Sequence, residues 1–423
     1  MKTGHPFQEN LNTSKTSSRD TGLESCLCES SPLWPSLESP VVTLKAPVNG
    51  KTVAIGRGLN VKVNANIGTS PDLTDESGEL RKLEVAQKAG ADTVMDLSTG
   101  GNLRSVRRKI ISESSVPVGS VPIYEAIVNS VRKRGGSERM DPDEMLDAIR
   151  LHGEDGISFV TVHCGVTLSA LAHLEQKPRV CGIVSRGGSF LARWMRANKR
   201  ENPLFERYNE VLDICKEYNM VISLGDGLRP GAIADSLDQA QVEELVNLGN
   251  LYRRAREKGV EAIVEGPGHV PLDQIATQMV LQKKLCDDAP FYVLGPLVTD
   301  IAPGLDHITS AIGGALAAMH GADFLCYVTP SEHLGLPDEN DVRMGVLAAK
   351  IAAHAADLVK HQPGALEWDE KMSRARKNRN WEEQIRLSID PELARDIRRK
   401  TCREDHETCT MCGDLCAYKA DSM

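Results

Sequence analysis

The sequence predicts an α/β fold: a (β/α)8 TIM-type barrel with an N-terminal arm and a C-terminal cysteine-bearing segment. Three observations predict it. Short apolar, β-branched runs recur about every 30 residues between residues 61 and 330. Amphipathic helical patterns with their own start and stop residues separate them. Polar residues crowd the ends of the runs, where a parallel barrel carries its chemistry. An open, doubly wound sheet is the alternative arrangement of the same alternation.

The chain has 423 residues, enough for a large barrel with appendages. Apolar residues make up 41% and charged residues 26%, which is ordinary globular usage and excludes a fibrous or wholly disordered chain. No apolar stretch is long enough for a membrane helix. With 50 basic and 59 acidic residues the net charge is −9, and aromatics are 4%, so neither a basic surface nor stacking platforms point to nucleic acid. The first residues lack an apolar signal core and carry Glu9, Asp20, Glu24 and Glu29, so the expectation is a cytoplasmic protein.

Residues 1–47, rich in Ser, Thr and Pro without hydrophobic periodicity, are expected to form a loosely ordered arm; its Cys26 and Cys28 are a weak candidate metal pair. Residues 48–360 are assigned to the catalytic barrel. Nine strand candidates lie there: VKVNANIG from Val61, DTVMDLST from Asp92, PVGSVPIY from Pro117, ISFVTVHCG from Ile157, CGIVSRGG from Cys181, MVISLGDG from Met220, VEAIVEGPG from Val260, FYVLGP from Phe291 and DFLCYVTP from Asp323. That is one more than a barrel needs. Between them, Leu80, Leu83 and Ala86 share a helix face closed by Gly90; Asp141, Pro142 and Glu144 open another helix; and Val211 to Tyr218 end at Asn219. Residues 361–423 are assigned to a charged helical region, Glu367 to Arg399, leading into the cysteine-bearing tail.

The run ends offer Asn64, Asn66, Met95, Asp96, Tyr124, His163, Ser185, Arg186, Gly187, Asp226, Gly227, Leu228, Arg229, Glu265, His269, Tyr292 and His333. Ser185-Arg186-Gly187-Gly188 and Asp226-Gly227-Leu228-Arg229 combine glycines, which let backbone N–H groups approach closely, with forked arginine donors; an anionic, phosphorylated substrate follows. His269 and His333 end different strands. With a carboxylate such as Glu265 they suit Zn²⁺ or Fe²⁺, and they suit acid/base roles equally; His307 is a third candidate.

Of the eleven cysteines, Cys181, Cys215, Cys286 and Cys326 sit singly in apolar runs, where buried thiols are expected. Cys409-Thr-Met-Cys412-Gly-Asp-Leu-Cys416 is different. Three thiolates spaced C-x2-C-x3-C suit a zinc knuckle completed by Cys402 or His406, or a [4Fe–4S] cluster whose fourth iron stays open to S-adenosylmethionine or substrate.

Long motifs then add a resemblance. NANIGTS, GADTVMDLSTGG, PVGSVPIY, TVHCGVT, GIVSRGGSF, SLGDGLRPG, VEGPGHVPLDQI, APFYVLGPLVTDIAPGLDHITSAIGGA, CYVTPSEHLGLP, KIAAHAADLVK and CTMCGDLCAYK, in this order from about Val53 to the tail, resemble the phosphomethylpyrimidine synthase family. The resemblance implies a radical S-adenosylmethionine lyase of thiamine biosynthesis. Such an enzyme converts 5-aminoimidazole ribotide to 4-amino-5-hydroxymethyl-2-methylpyrimidine phosphate, releasing formate and carbon monoxide. It further implies that Asn66, Met95, Tyr124, His163, Ser185 to Gly187, Asp226 to Arg229, Glu265 and Tyr292 line the ribotide site. His269 and His333 would hold Zn²⁺, and Cys409, Cys412 and Cys416 a [4Fe–4S] cluster that binds S-adenosyl-L-methionine and takes its electron from a separate donor. The assembly implied is a homodimer in which one subunit's cluster serves the other's barrel.

Three residues between the second and third cysteines, where long bacterial members have four, place the tail in a shorter branch. That branch shares its motifs with 5-hydroxybenzimidazole synthase, which acts on the same ribotide. A non-catalytic relative binding zinc and ribotide is the reading from another class; the intact cysteine motif beside both histidines weighs against it. The family's usual N-terminal segment has no counterpart in residues 1–47.

Overall fold

The computed structural model describes residues 40–402 and 407–420. Eight parallel strands close a barrel: β3 (Lys62–Ile67), β4 (Thr93–Asp96), β5 (Val118–Ser120), β6 (Phe159–Val162), β7 (Val221–Leu224), β8 (Ala262–Gly266), β9 (Phe291–Leu294) and β10 (Phe324–Cys326), with β10 pairing back onto β3. They are preceded by an antiparallel hairpin, β1 (Val41–Lys45) and β2 (Thr52–Gly56). The open-sheet alternative is thereby excluded. No helix among the described residues is long and apolar enough to cross a membrane.

Eight of the nine strand candidates are barrel strands. The exception is CGIVSRGG, which is loop running into the helix Arg186–Asn198. Its apolar residues form no ladder because the backbone N–H groups of Val180 and Cys181 donate to the Asp235 carboxylate at 2.8 and 3.0 Å. Cys181 is consequently exposed, against expectation, whereas Cys215, Cys286 and Cys326 are buried.

The hairpin is the second departure. Val41–Lys45 falls in the segment read as an arm, so the expected boundary at residue 47 cuts through a hairpin. Its alternation puts Val42 and Leu44 inward and Val41, Thr43 and Lys45 outward. It lies against the N-terminal ends of the barrel strands: Thr43 N–H donates to Glu261 before β8, and Ser158 before β6 donates to the Lys45 carbonyl. Residues 1–39, with Cys26 and Cys28, and His406 lie outside the described residues.

The helices begin and end where their punctuation puts them. Glu76–Lys88 buries Leu83 and Ala86 and is followed by Gly90 at φ +93°. Pro142–Glu154 starts at Asp141, whose side chain accepts the Asp143 N–H. Inside the barrel, Phe159 and Phe324 meet edge to face at 6.4 Å, and Tyr292 stacks on Phe324 at 4.2 Å. Gly119 makes room for this layer, since a Cβ there would come within 2.3 Å of the Phe159 ring.

The last helix of the barrel, Glu339–Val359, is followed by helices Ala365–Lys377, Trp381–Leu387 and Pro391–Thr401, then by a 3-10 turn at Gly413–Leu415 and a short helix Ala417–Ala420.

Candidate active site

A cavity opens at the C-terminal ends of the strands. It is lined by Asn66 (β3), Met95 (β4), Tyr124, Thr161 and His163 (β6 and its end), Asp226 and Arg229 (after β7), Glu265 (β8), Tyr292 (β9) and Cys326 (β10), with apolar neighbours. Every barrel strand except β5 and β7 thus contributes from within or from its last residues, and these two contribute through the segments that follow them. Parallel strands all deliver their ends to one rim, which is why residues up to 260 apart in sequence meet: Asn66 Nδ2 lies 3.0 Å from Cys326 Sγ.

Burial dominates the electrostatics. It raises the carboxyl pKa of Asp226 well above the usual range and that of Glu265 as well, against the pull of hydrogen bonds from Ser223 (2.6 Å) and Thr161 (2.7 Å), both made to Glu265 Oε1. Burial also drives the His163 pKa down to about 3, with Arg229 adding in the same direction, so its imidazole is neutral. Burial opposes the charge of Arg229, but Asp226, Tyr124 and Glu265 outweigh it and the guanidinium stays protonated. Burial lifts the Cys326 thiol to about 12, so it is a thiol and not a thiolate. Asp226 Oδ2 and His163 Nδ1 are buried without a protein partner.

Ser185 caps the helix Arg186–Asn198, its Oγ accepting the Gly188 N–H at 3.2 Å and lying 3.2 Å from His163 Nε2. The Arg186 guanidinium sits 4.9 Å above the Tyr124 ring. Gly187 and Gly188 permit the close approach of helix and strand ends: a Cβ on Gly187 would stand 2.3 Å from the His163 ring, and one on Gly188 would stand 2.0 Å from the Gly227 carbonyl oxygen. Five predicted residues do not line the cavity: Ser185, Arg186 and Gly187 stand at the helix start beside it, and Gly227 and Leu228 lie in the turn behind it. Leu228 is packed in the core, with its N–H donating to Glu244 at 2.8 Å, and Gly227 serves as the flat point on which Gly188 and Val166 close.

His269 and His333 do meet, with ring centroids 5.2 Å apart. Each is oriented from behind by a carboxylate at Nδ1: Asp300 at 2.8 Å for His269 and Asp306 at 3.3 Å for His333. That arrangement leaves both Nε2 atoms for a metal, the pattern in which an outer carboxylate fixes a ligating imidazole. His333 has φ +64°, a conformation disfavoured for a side chain of its size and held by the Ser331–Gly335 turn. The pair fits a metal ion as two ligands. No third His, Cys, Asp or Glu converges with them among the described residues, and Glu265 is not a ligand there. His307 stands apart as a buried residue whose neighbour Asp306 orients His333.

Cys409 is half-buried, Cys412 exposed and Cys416 buried; all three are free thiols. They are not gathered into a preformed cage. The donor set itself, three thiols within eight residues on a tight turn, fits a cluster with one iron left open. Arg379 pairs with Glu407 at 2.8 Å and donates to the Tyr418 carbonyl, and Trp381 Nε1 donates to the Glu407 carbonyl, so the turn is tied to the preceding helices at both ends.

The sequence profile of the Radical SAM ThiC family matches residues 39–422. The chain belongs to that family. The phosphomethylpyrimidine synthase of Desulforamulus reducens is 57% identical over 89% of this chain and 88% of that protein. Those of Moorella thermoacetica and Desulforudis audaxviator are each 58% identical, over 86% and 88% of this chain and 84% and 86% of theirs. Membership in a radical S-adenosylmethionine family brings with it S-adenosylmethionine and an iron–sulfur cluster.

Sequence reading missed the residues behind the site. Thr161, Ser223, Glu244, Asp300 and Asp306 hold its groups in place. Only Thr161 and Ser223 had a signal, as inward positions one pleat from the strand end. Cys326, read as a core thiol, lines the cavity.

Proposed function

We propose that this chain is a phosphomethylpyrimidine synthase of thiamine biosynthesis, rearranging 5-aminoimidazole ribotide to 4-amino-5-hydroxymethyl-2-methylpyrimidine phosphate. The observation that carries the reading is the cavity. Eight of the residues expected for a ribotide (Asn66, Met95, Tyr124, His163, Asp226, Arg229, Glu265 and Tyr292) converge on it, beside a two-arginine, glycine-lined rim suited to a phosphate.

Cys409, Cys412 and Cys416 would hold the [4Fe–4S] cluster, which would supply the electron for reductive cleavage of S-adenosylmethionine. The chain's own residues do the rest. Ser185, Arg186 and Gly187 at the helix start receive the phosphate, with Arg229 as the second cation. Asn66 and Tyr292 flank the ring, and Met95 gives it an apolar wall. Asp226 and Glu265, whose carboxyl groups burial shifts upward, face the substrate beside Arg229, and His163 stays a neutral acceptor. His269 and His333 would hold Zn²⁺, which would act as a Lewis acid orienting substrate or cofactor. The active unit is a cytoplasmic homodimer in which each cluster segment serves the partner's barrel.

The test is anaerobic reconstitution with iron and sulfide, incubation with ribotide, S-adenosylmethionine and a reductant, and mass analysis. The pyrimidine phosphate with 5′-deoxyadenosine is the expected result. 5-Hydroxybenzimidazole instead would assign the chain to the shorter branch's other activity. Absence of deoxyadenosine with a verified cluster would overturn the enzymatic reading.

A further inference from the structure

Glu244 belongs to the outer helix Gln239–Lys258, yet it is only 2% exposed and points at the active-site turn from behind. Its Oε2 accepts the Leu228 N–H at 2.8 Å, the Gly227 N–H lies against the same carboxyl group, and its Oε1 has no partner. It lines a small cavity together with Asp226, Arg229 and Glu265. The turn is held elsewhere by Arg179, which donates to the Arg229 carbonyl at 3.3 Å while paired with Asp238, and by Val166 beneath Gly227.

We propose that Glu244 is a positioning residue for the ribotide site: by accepting the peptide N–H groups of the Asp226–Arg229 turn it fixes the conformation that presents Asp226 and Arg229 to the substrate. This rests on the functional reading above. A buried peptide N–H left unpaired is costly, so a turn without this acceptor rearranges until the donor finds one, and Asp226 and Arg229 move with it. The group acts in its neutral form. Burial raises Glu244 to about 8, with the Leu228 and Gly227 N–H groups and the Arg179 and Arg229 charges pulling the other way. Glutamine therefore reproduces the working state, with its oxygen on the Leu228 N–H. Methionine fills the same space without an acceptor.

The experiment compares E244Q and E244M with the wild type as anaerobically reconstituted enzymes. It measures KM and kcat for the ribotide, ribotide affinity by calorimetry, and hydrogen exchange of the Leu228 amide. E244M should raise KM and weaken binding about tenfold, while E244Q restores both. Leu228 should exchange slowly in wild type and E244Q. Unchanged ribotide affinity in E244M, or E244Q as impaired as E244M, overturns the proposal. If E244M does not fold, fast Leu228 exchange in the wild type overturns it independently. A wild type that binds no ribotide overturns the functional reading itself, whereas normal wild-type binding with an indifferent E244M overturns only the positioning role.

Discussion

Replacing Glu244 by glutamine should make the protein more stable in alkali than the wild type and leave the two alike in acid. Burial raises the folded-state pKa from 4.5 to about 8. Below pH 4.5 the carboxyl is protonated in both the folded and unfolded chain and the shift has no effect on stability. As the pH rises the unfolded chain ionises while the folded one keeps its proton, so the wild type loses about 1.4 kcal/mol per pH unit. The loss levels off above pH 8, at about 5 kcal/mol for the whole 3.5-unit shift. Between pH 6 and pH 9 the gap between E244Q and wild type should therefore widen by about 3 kcal/mol. Asp226, raised by the same burial, is common to both proteins, so the difference reports Glu244 together with its coupling to Asp226. Urea unfolding followed by tryptophan fluorescence at the two pH values measures it. Midpoints that move in parallel for both proteins would refute the account of a buried, protonated carboxyl.

Cys412→Ala should abolish turnover and the visible absorption of the reconstituted cluster, yet move the barrel's melting by no more than about 2 °C, because the residue is exposed and outside the core. A collapsed barrel transition would contradict that placement. Gly188→Ala, whose Cβ would stand 2.0 Å from the Gly227 oxygen, should force the helix start off the Asp226–Arg229 turn and weaken ribotide binding roughly tenfold by calorimetry. His333→Ala should reduce bound zinc, assayed by elemental analysis after dialysis, from about one ion per chain to nearly none, since one of two imidazole ligands is lost. Acid should destabilise through His152, which burial lowers to about 4: the unfolded chain takes up a proton below pH 6.5 that the folded one refuses. The stability present above pH 6.5 is then lost by about 3 kcal/mol on the way down to pH 4, a slope that urea midpoints of His152→Gln should lack.

The barrel was legible because a parallel strand buried on both faces is a continuous apolar run, and eight such runs carry that mark. CGIVSRGG carries it too. Ile183 and Val184 imitate a strand, but Gly182 at φ +64° and the Ser185 cap turn the chain into a helix, and a carboxylate takes the amides that a ladder would need. The β1–β2 hairpin was missed although Val41–Lys45 alternates, since five residues of alternation after a Ser- and Pro-rich stretch are a faint signal. In the site, residues at strand ends were legible by position and by motif. Glu244, Asp300 and Asp306 were not, because they act across the fold from helices and loops, and nothing in the local sequence distinguishes a carboxylate that holds a turn or an imidazole from one that faces water.

The hairpin at the N-terminal end of the barrel has a bearing on traffic. With Val42 and Leu44 seated inward and Thr43 and Lys45 bonded to the segments before β8 and β6, it lies against the strand ends opposite the cavity. That leaves the rim at the C-terminal ends of the strands as the face where substrate meets the cavity and product departs.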